Sequence, residues 1–191
     1  MQLARAHFVP TWQRLRGYGG CLILHAPDDD AVLFVSFWHR EEDEVGSIAS
    51  IRPKMARLAE VWREAETEHT AYQVAVWVRT AIQPQAGAWV RSIEWDRMRP
   101  EAEVAIIQDW QDGLVPMFQH RPGFQGALLA TNPATGQVVG ASFWEDHATY
   151  EAARPGARQV VADFVEKHAL RERARLTLRM LLTDVPRGVV L

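Results

Sequence analysis

The sequence has little of most things that announce a chemistry. One of its 191 residues, Cys21, is a cysteine, which excludes an intrachain disulfide and fits a reducing compartment. Cys21 sits in the apolar run Cys21-Leu22-Ile23-Leu24 and reads as a small core residue, not a nucleophile. No apolar stretch approaches the roughly 18 residues of a membrane-spanning helix. The opening MQLARAHFVP has no long apolar run leading to a small-residue cleavage site, so no signal peptide is expected. The expectation is a soluble, cytoplasmic protein. Neither charge sign dominates: 21 Lys and Arg stand against 24 Asp and Glu, for a net charge of −3. The basic residues are scattered, so the chain lacks the electrostatic footprint of a nucleic-acid or anionic-membrane partner.

The familiar site motifs are missing as well. The seven histidines (His7, His25, His39, His69, His120, His147 and His168) never form an i, i+4 pair around a carboxylate. Glu41-Glu42-Asp43-Glu44 lacks the alternating ligands and central glycine of a calcium loop. Gly17, Gly19 and Gly20 lead into a strand, whereas a phosphate cradle needs a helix to follow. No serine elbow is present. Neither a metal nor an organic cofactor is expected.

What is there is a repeat. At an offset of 106, Val9 to Trp38 aligns without a gap with Val115 to Trp144. Identities fall at Val9/Val115, Pro10/Pro116, Gln13/Gln119, Gly17/Gly123, Gly20/Gly126, Leu22/Leu128, Pro27/Pro133, Val32/Val138, Ser36/Ser142, Phe37/Phe143 and Trp38/Trp144. The chain therefore reads as two copies of one small α+β unit.

The second copy is the clearer. Trp89 to Trp95 is aromatic and β-branched and reads as a strand. From Glu101 a helical period sets in through Val104, Ile107, Trp110 or Gln111, Leu114 and Met117 or Phe118, weakened by Gly113 and Pro116 and ending by Pro122-Gly123. Phe124 to Thr131 and Gln137 to Trp144 flank the turn formers Asn132 to Gly136, a hairpin. Ala157, Val160, Val161, Phe164, Val165 and Ala169 have helical spacing, and Arg175 to Met180 alternates as a strand. The order strand, helix, strand, strand, helix, strand is ferredoxin-like.

In the first copy Ala26 to Asp30 takes the place of the hairpin turn. The second helix, at Pro53, Met55, Leu58, Ala59 and Trp62, and the last strand, Tyr72 to Val78, follow at an offset of 102. The first strand has no counterpart, because Met1 aligns with Ile107. The expected organisation is a first ferredoxin-like unit over 1–80 lacking its first strand, a linker over 81–87, and a complete unit over 88–191. The bare sheet edge needs cover, for which the tail Gly188 to Leu191, a neighbouring chain and further upstream residues are equal alternatives.

Pro122-Gly123-Phe124-Gln125-Gly126-Ala127-Leu128-Leu129 followed by Gly140-Ala141-Ser142-Phe143-Trp144-Glu145 resembles the antibiotic biosynthesis monooxygenase type of dimeric α/β barrel protein. Gly17 to Leu24 with Val35 to Trp38 is a weaker version. The resemblance implies two antiparallel sheets closing into a barrel, helices outside, with a cavity in each unit between sheet and helices. It also implies a pseudo-dimeric barrel within one chain, and leaves a further homodimer of that chain open. The quinol-forming members of that family oxidise an electron-rich aromatic molecule without a cofactor, in a dry cavity with a few polar groups.

The second copy supplies Trp89, Trp95, Trp110, Phe118, His120, Phe143, Trp144, His147 and Tyr150 for such a site. The candidate catalytic residues are Trp144, His147, Glu94 and His120, each with a plain structural explanation beside the functional one; Tyr150 is a further one. Arg91 and Glu94 lie on opposite strand faces, so only one of them can face the cavity. The haem-degrading branch is the less favoured reading, because it uses an asparagine in the first strand and a histidine late in the second helix. Trp89 to Asp96 has no asparagine, and His168 falls at the helix end. The sequence leaves an aromatic-oxidising enzyme, a non-catalytic small-molecule binder and a structural or interaction protein open. Eight tryptophans suit both a stacked flat ligand and a well-filled core.

Overall fold

The computed structural model describes residues 9–28, 31–50, 69–80 and 83–185. Contacts divide the chain into one unit of Met1–Leu24, Leu33–Thr70 and Leu181–Leu191 and another of His25–Val32 and Ala71–Met180. The expected first-copy helix at Pro53 to Trp62, the turn residues Asp29 and Asp30, the linker residues Ala81 and Ile82 and the tail Gly188 to Leu191 lie outside the described residues.

The smaller unit begins with α1 (Val9–Trp12), continues into β1 (Tyr18–Ala26) and β2 (Ala31–Trp38), and has a helical stretch at 41–50. Its β1 lies beside the end of the last strand, β7 (Arg171–Asp184). Tyr18 Oη and Gln13 Nε2 both donate to Asp184 Oδ2 at 3.0 Å. Among the described residues no strand precedes β1.

In the larger unit, β3 (Gln73–Arg79) and β4 (Trp89–Asp96) are followed by a 3-10 turn (Pro100–Ala102), then α2 (Glu103–Asp109), a π-helical turn (Trp110–Leu114) and α3 (Val115–Gln119). The hairpin β5 (Phe124–Asn132) and β6 (Gln137–Trp144), α4 (His147–Lys167) and β7 complete it. The strands run antiparallel in the order β7-β4-β6-β5-β3. The strand, helix, hairpin, helix, strand sequence from β4 to β7 makes this an α+β, ferredoxin-like antiparallel sheet with its helices on one face.

Alternation places Trp89, Arg91, Ile93 and Trp95 of β4 on the face under the helices. There Ile93 and Trp95 join Ile106, Trp110, Leu114, Phe118, Tyr150, Ala153, Ala157, Val161 and Phe164 in one core. The opposite face is buried too, through Val90, Leu128, Ala130, Ala141, Phe143, Leu178 and Met180. A sheet apolar on both faces loses the simple alternation, and β5 is accordingly a nearly unbroken apolar run.

The first helix of this unit departs from the spacing expected of it. Val104 is 76% exposed, and the buried positions are Ile106, Trp110, Leu114 and Phe118. Steps of four residues outrun a 3.6-residue turn by about 40° each, and the wider π turn at Trp110–Leu114 takes up the excess. Gly113 loosens that stretch and Pro116 has no N–H to donate, which lowers the cost of changing the ladder there. The second helix starts earlier than its clearest apolar spacing. Asp146 accepts from Thr149 N at 2.8 Å, and Thr149 Oγ1 accepts from Asp146 N at 3.3 Å, a capping box that sets the start at His147. Val160 and Val165 are half-buried against the core, whereas Ala169 lies beyond the helix at φ 51°.

Gly17 and Gly123, equivalent in the repeat, both adopt left-handed φ values, 72° and 75°, in the turns entering β1 and β5. Their carbonyls accept from His39 N at 2.8 Å and Glu145 N at 2.7 Å. Trp38 Nε1 donates to Ser36 Oγ at 2.9 Å and Trp144 Nε1 to Ser142 Oγ at 3.0 Å.

Candidate functional site

The polar groups of the larger unit's helix-covered face gather around Arg91. The register sets Arg91 directly across from Ser142 on β6 and Thr177 on β7. Above them α4 brings down Tyr150, whose Oη lies 3.1 Å from Thr177 Oγ1. One turn earlier, His147 leans its ring against Trp89 at a 53° tilt, with centroids 4.4 Å apart, and stands 5.9 Å from Tyr150. Aromatic surface, three hydroxyls, an imidazole and a guanidinium thus share one end of the layer between sheet and α4.

Arg91 is the unusual member. Only 9% of it is exposed, and its buried Nε donates to no partner. The neighbouring carboxylates are committed elsewhere. Glu172 takes Arg175 Nε at 2.9 Å and Nη2 at 2.5 Å, and Glu151 takes Arg154 Nη1 at 2.9 and 2.8 Å. Burial pushes the Arg91 guanidinium below the usual arginine range, and the charges of Arg175 and Arg154 push the same way against Tyr150 and Glu172.

The residues singled out from sequence fall in different places. Trp144 is buried, its indole bound to Ser142 and its ring edge-on to Phe118 and Phe124 at 5.8 and 5.5 Å; it forms the aromatic wall next to the Arg91 cluster. His147 and Tyr150 belong to the cluster. His147 is about half exposed, and its Nε2 lies 3.7 Å from Glu151 Oε1. Glu94 is on the other face, accepting from Arg173 Nη1 at 2.9 Å and Gln137 Nε2 at 3.2 Å. Burial, then the Glu94 carboxylate, pushes Tyr72 up to about 12. His120 is the exposed residue that ends α3. His168 stands at the far end of α4 from His147, about 30 Å along the helix. It is buried, with Nε2 2.6 Å from Asp109 Oδ2.

Ser142 and Thr177 were not singled out by sequence reasoning, and Arg91 was named only as the residue on the strand face opposite Glu94. The available signal was an arginine in register with Trp89, Ile93 and Trp95 on an otherwise apolar strand face. Among the described residues no three His, Cys, Asp or Glu side chains are grouped to hold a metal ion, and no helix is long and apolar enough to cross a membrane.

No family profile and no curated protein sequence matches the chain. Solved structures do match its fold. The larger unit has the fold of monooxygenase-like ferredoxin-fold proteins. A candidate monooxygenase of Fusobacterium nucleatum superposes with a TM-score of 0.68 at 13% identity, over 98% of this chain and 87% of that one. An anthrone oxidase-like protein gives 0.69 at 16% identity, over 98% and 88%. A candidate monooxygenase of Lactobacillus acidophilus gives 0.67 at 10% identity, over 98% and 92%. At such identities the likeness is one of fold.

Proposed function

We propose that the chain is a tandem member of the dimeric α/β barrel group, and that its second unit holds an aromatic, quinol-like small molecule between sheet and helices and oxidises it with dioxygen without a cofactor. The observation that carries the reading is the polar cluster around Arg91 within an aromatic layer: a few polar groups facing inward among rings, as a small-molecule site requires.

Three features support the tandem arrangement. The aligned glycines Gly20 and Gly126 are each pressed against a last strand. A Cβ on Gly20 would sit 2.7 Å from the Asp184 carbonyl of β7, and one on Gly126 would sit 2.7 Å from the Val78 carbonyl of β3. The last strand of one repeat thus lies on the second strand of the other, in both directions, which is how two ferredoxin-like halves close a barrel. The burial of both sheet faces in the larger unit suits a sheet enclosed on both sides. The reading keeps the units at 1–80 and 88–191 with a linker over 81–87.

For the chemistry, an anthrone-type carbon illustrates the step. His147 accepts a proton from the activated CH₂, the carbanion passes an electron to dioxygen, and the two recombine with a new C–O bond. Loss of water from the hydroperoxide then leaves a ketone, so that CH₂ and O₂ become C=O and H₂O. Arg91 stabilises the oxyanion conjugated with the carbanion, where a buried charge acts most strongly. Trp144, Trp89 and Tyr150 line the site and exclude water. Glu94 and His120 take no part in this scheme.

The test is oxygen uptake with anthrone as substrate. One dioxygen consumed per anthraquinone formed, with uptake falling at least about tenfold in His147→Ala, supports the enzyme. Saturable anthrone binding without uptake above the buffer rate would leave a non-catalytic binding protein. That second reading is favoured by the half-exposed position of His147.

A further inference from the structure

The natural occupant of the Arg91 layer is defined further by charge. Arg91 as a residue is nine-tenths buried, and its buried Nε has no hydrogen-bond partner, an arrangement that is costly unless a partner is supplied. Among the described residues the charges are uneven: Arg175, Arg154 and Glu172 act on Arg91, Glu172 is bound by Arg175, and Glu151 is bound by Arg154. Each carboxylate already takes an exposed or half-exposed arginine, and the cation left over is the most deeply buried of the three.

The surroundings also say what shape of anion fits. Arg91 lies between Ser142 and Thr177 across the strands, with the Tyr150 hydroxyl on Thr177 and the paired Trp89 and His147 rings next to it. Hydroxyls beside a guanidinium offer donors to the same oxygen atoms, and the rings offer faces to a flat body. We propose that Arg91 is the anchor for an anionic group, a carboxylate or a phenolate, carried on an aromatic ligand whose rings lie against Trp89 and Tyr150. This inference rests on the reading of the layer as a small-molecule site and narrows that site to anionic aromatic compounds.

The experiment compares naphthoate with naphthalenemethanol, which share a ring system and differ in charge, together with inorganic phosphate, using calorimetric titration of the full chain. The expected result is naphthoate binding at least about tenfold tighter than the alcohol, the size of a charge-assisted hydrogen bond, with the preference abolished in Arg91→Gln. A melting experiment without ligand adds a second line. Replacing a buried arginine whose Nε has no partner by an apolar chain of similar length, Arg91→Met, is expected to raise the melting temperature. Equal binding of the two naphthalenes by the natural chain would overturn the anionic anchor while leaving the aromatic site standing. Failure of both to bind would overturn the aromatic site and the anchor with it. Phosphate binding as tightly as naphthoate would overturn the aromatic part of the ligand, and a lower melting temperature for Arg91→Met would show a structural arginine and overturn the anchor.

Discussion

Cys21 shows how burial decides chemistry at a single residue. It is fully buried, and burial pushes its thiol up to about 11 against the opposing hydrogen bond of Tyr18. A thiol that is neither ionised nor accessible is unreactive. The native chain is expected to resist a disulfide reagent at pH 8 for as long as it stays folded, and to be labelled once per chain in denaturant; rapid native labelling would contradict this. A raised thiol pKa also has a stability consequence of known sign. The contribution is complete below pH 9.0, the ordinary value, and is lost as pH rises toward about 11. The sequence already marked Cys21 as core, because its neighbours are apolar. It did not mark Arg91 as central, because an arginine in a strand is commonplace until its partners are known. Whether Glu151 and Glu172 take Arg91 or Arg154 and Arg175 is a matter of three-dimensional placement, and no spacing rule reports it.

Among elements, α4 carries the site at one end and an ion-paired clamp at the other. At its C-terminal end Asp109 receives Lys167 Nζ and His168 Nε2, both at 2.6 Å. The hydrogen bond from Lys167, followed by that from His168, holds the Asp109 carboxyl below its ordinary range. A depressed carboxylate pKa contributes stability that is present above about pH 4 and is lost as pH falls through the folded value. Asp109→Asn is expected to cost about 1 kcal/mol at neutral pH and to flatten the acid limb of the stability profile, measured by urea unfolding from pH 7 down to pH 2. An unchanged acid limb would contradict the assignment. The order of elements in this unit was legible in the sequence, since apolar runs, turn residues and helical spacing each mark one of them. The phase of α2 was not. Val104 and Ile107 match a regular helix better than Ile106, Trp110, Leu114 and Phe118 do, and the π turn that reconciles the latter set is a response to packing, with Trp110 brought against Phe164 at 6.1 Å.

For the whole molecule the consequential pairings are those of β5 with β3 and of β1 with the end of β7. Phe124–Asn132 pairs with Gln73–Arg79 in a defined register, Gly126 opposite Arg79, and a side chain at Gly126 has no room beside the Val78 carbonyl. Gly126→Ala is therefore expected to destabilise the chain by about 1–3 kcal/mol, the usual cost of overpacking, in thermal or urea unfolding. The equivalent Gly20→Ala, at φ 137° and against the Asp184 backbone, is expected to cost at least as much. No change in either would contradict the close strand contacts. The likeness of the two sequence stretches was readable because Gly17/Gly123, Gly20/Gly126 and Ser36-Phe37-Trp38/Ser142-Phe143-Trp144 hold turn, contact and indole positions that few substitutions satisfy. The partner of β3 was not readable, since a short apolar strand such as Gln73–Arg79 carries no mark of which neighbour it will take.

The central claim is that the layer between β4 and α4 receives an aromatic molecule, and the most direct measurement is an anaerobic titration of tryptophan fluorescence with anthrone, run on the natural chain and on Trp89→Phe. Saturable quenching at one site per chain, reduced in Trp89→Phe, is the predicted result. Absence of saturable quenching, or quenching indifferent to Trp89, would contradict the account.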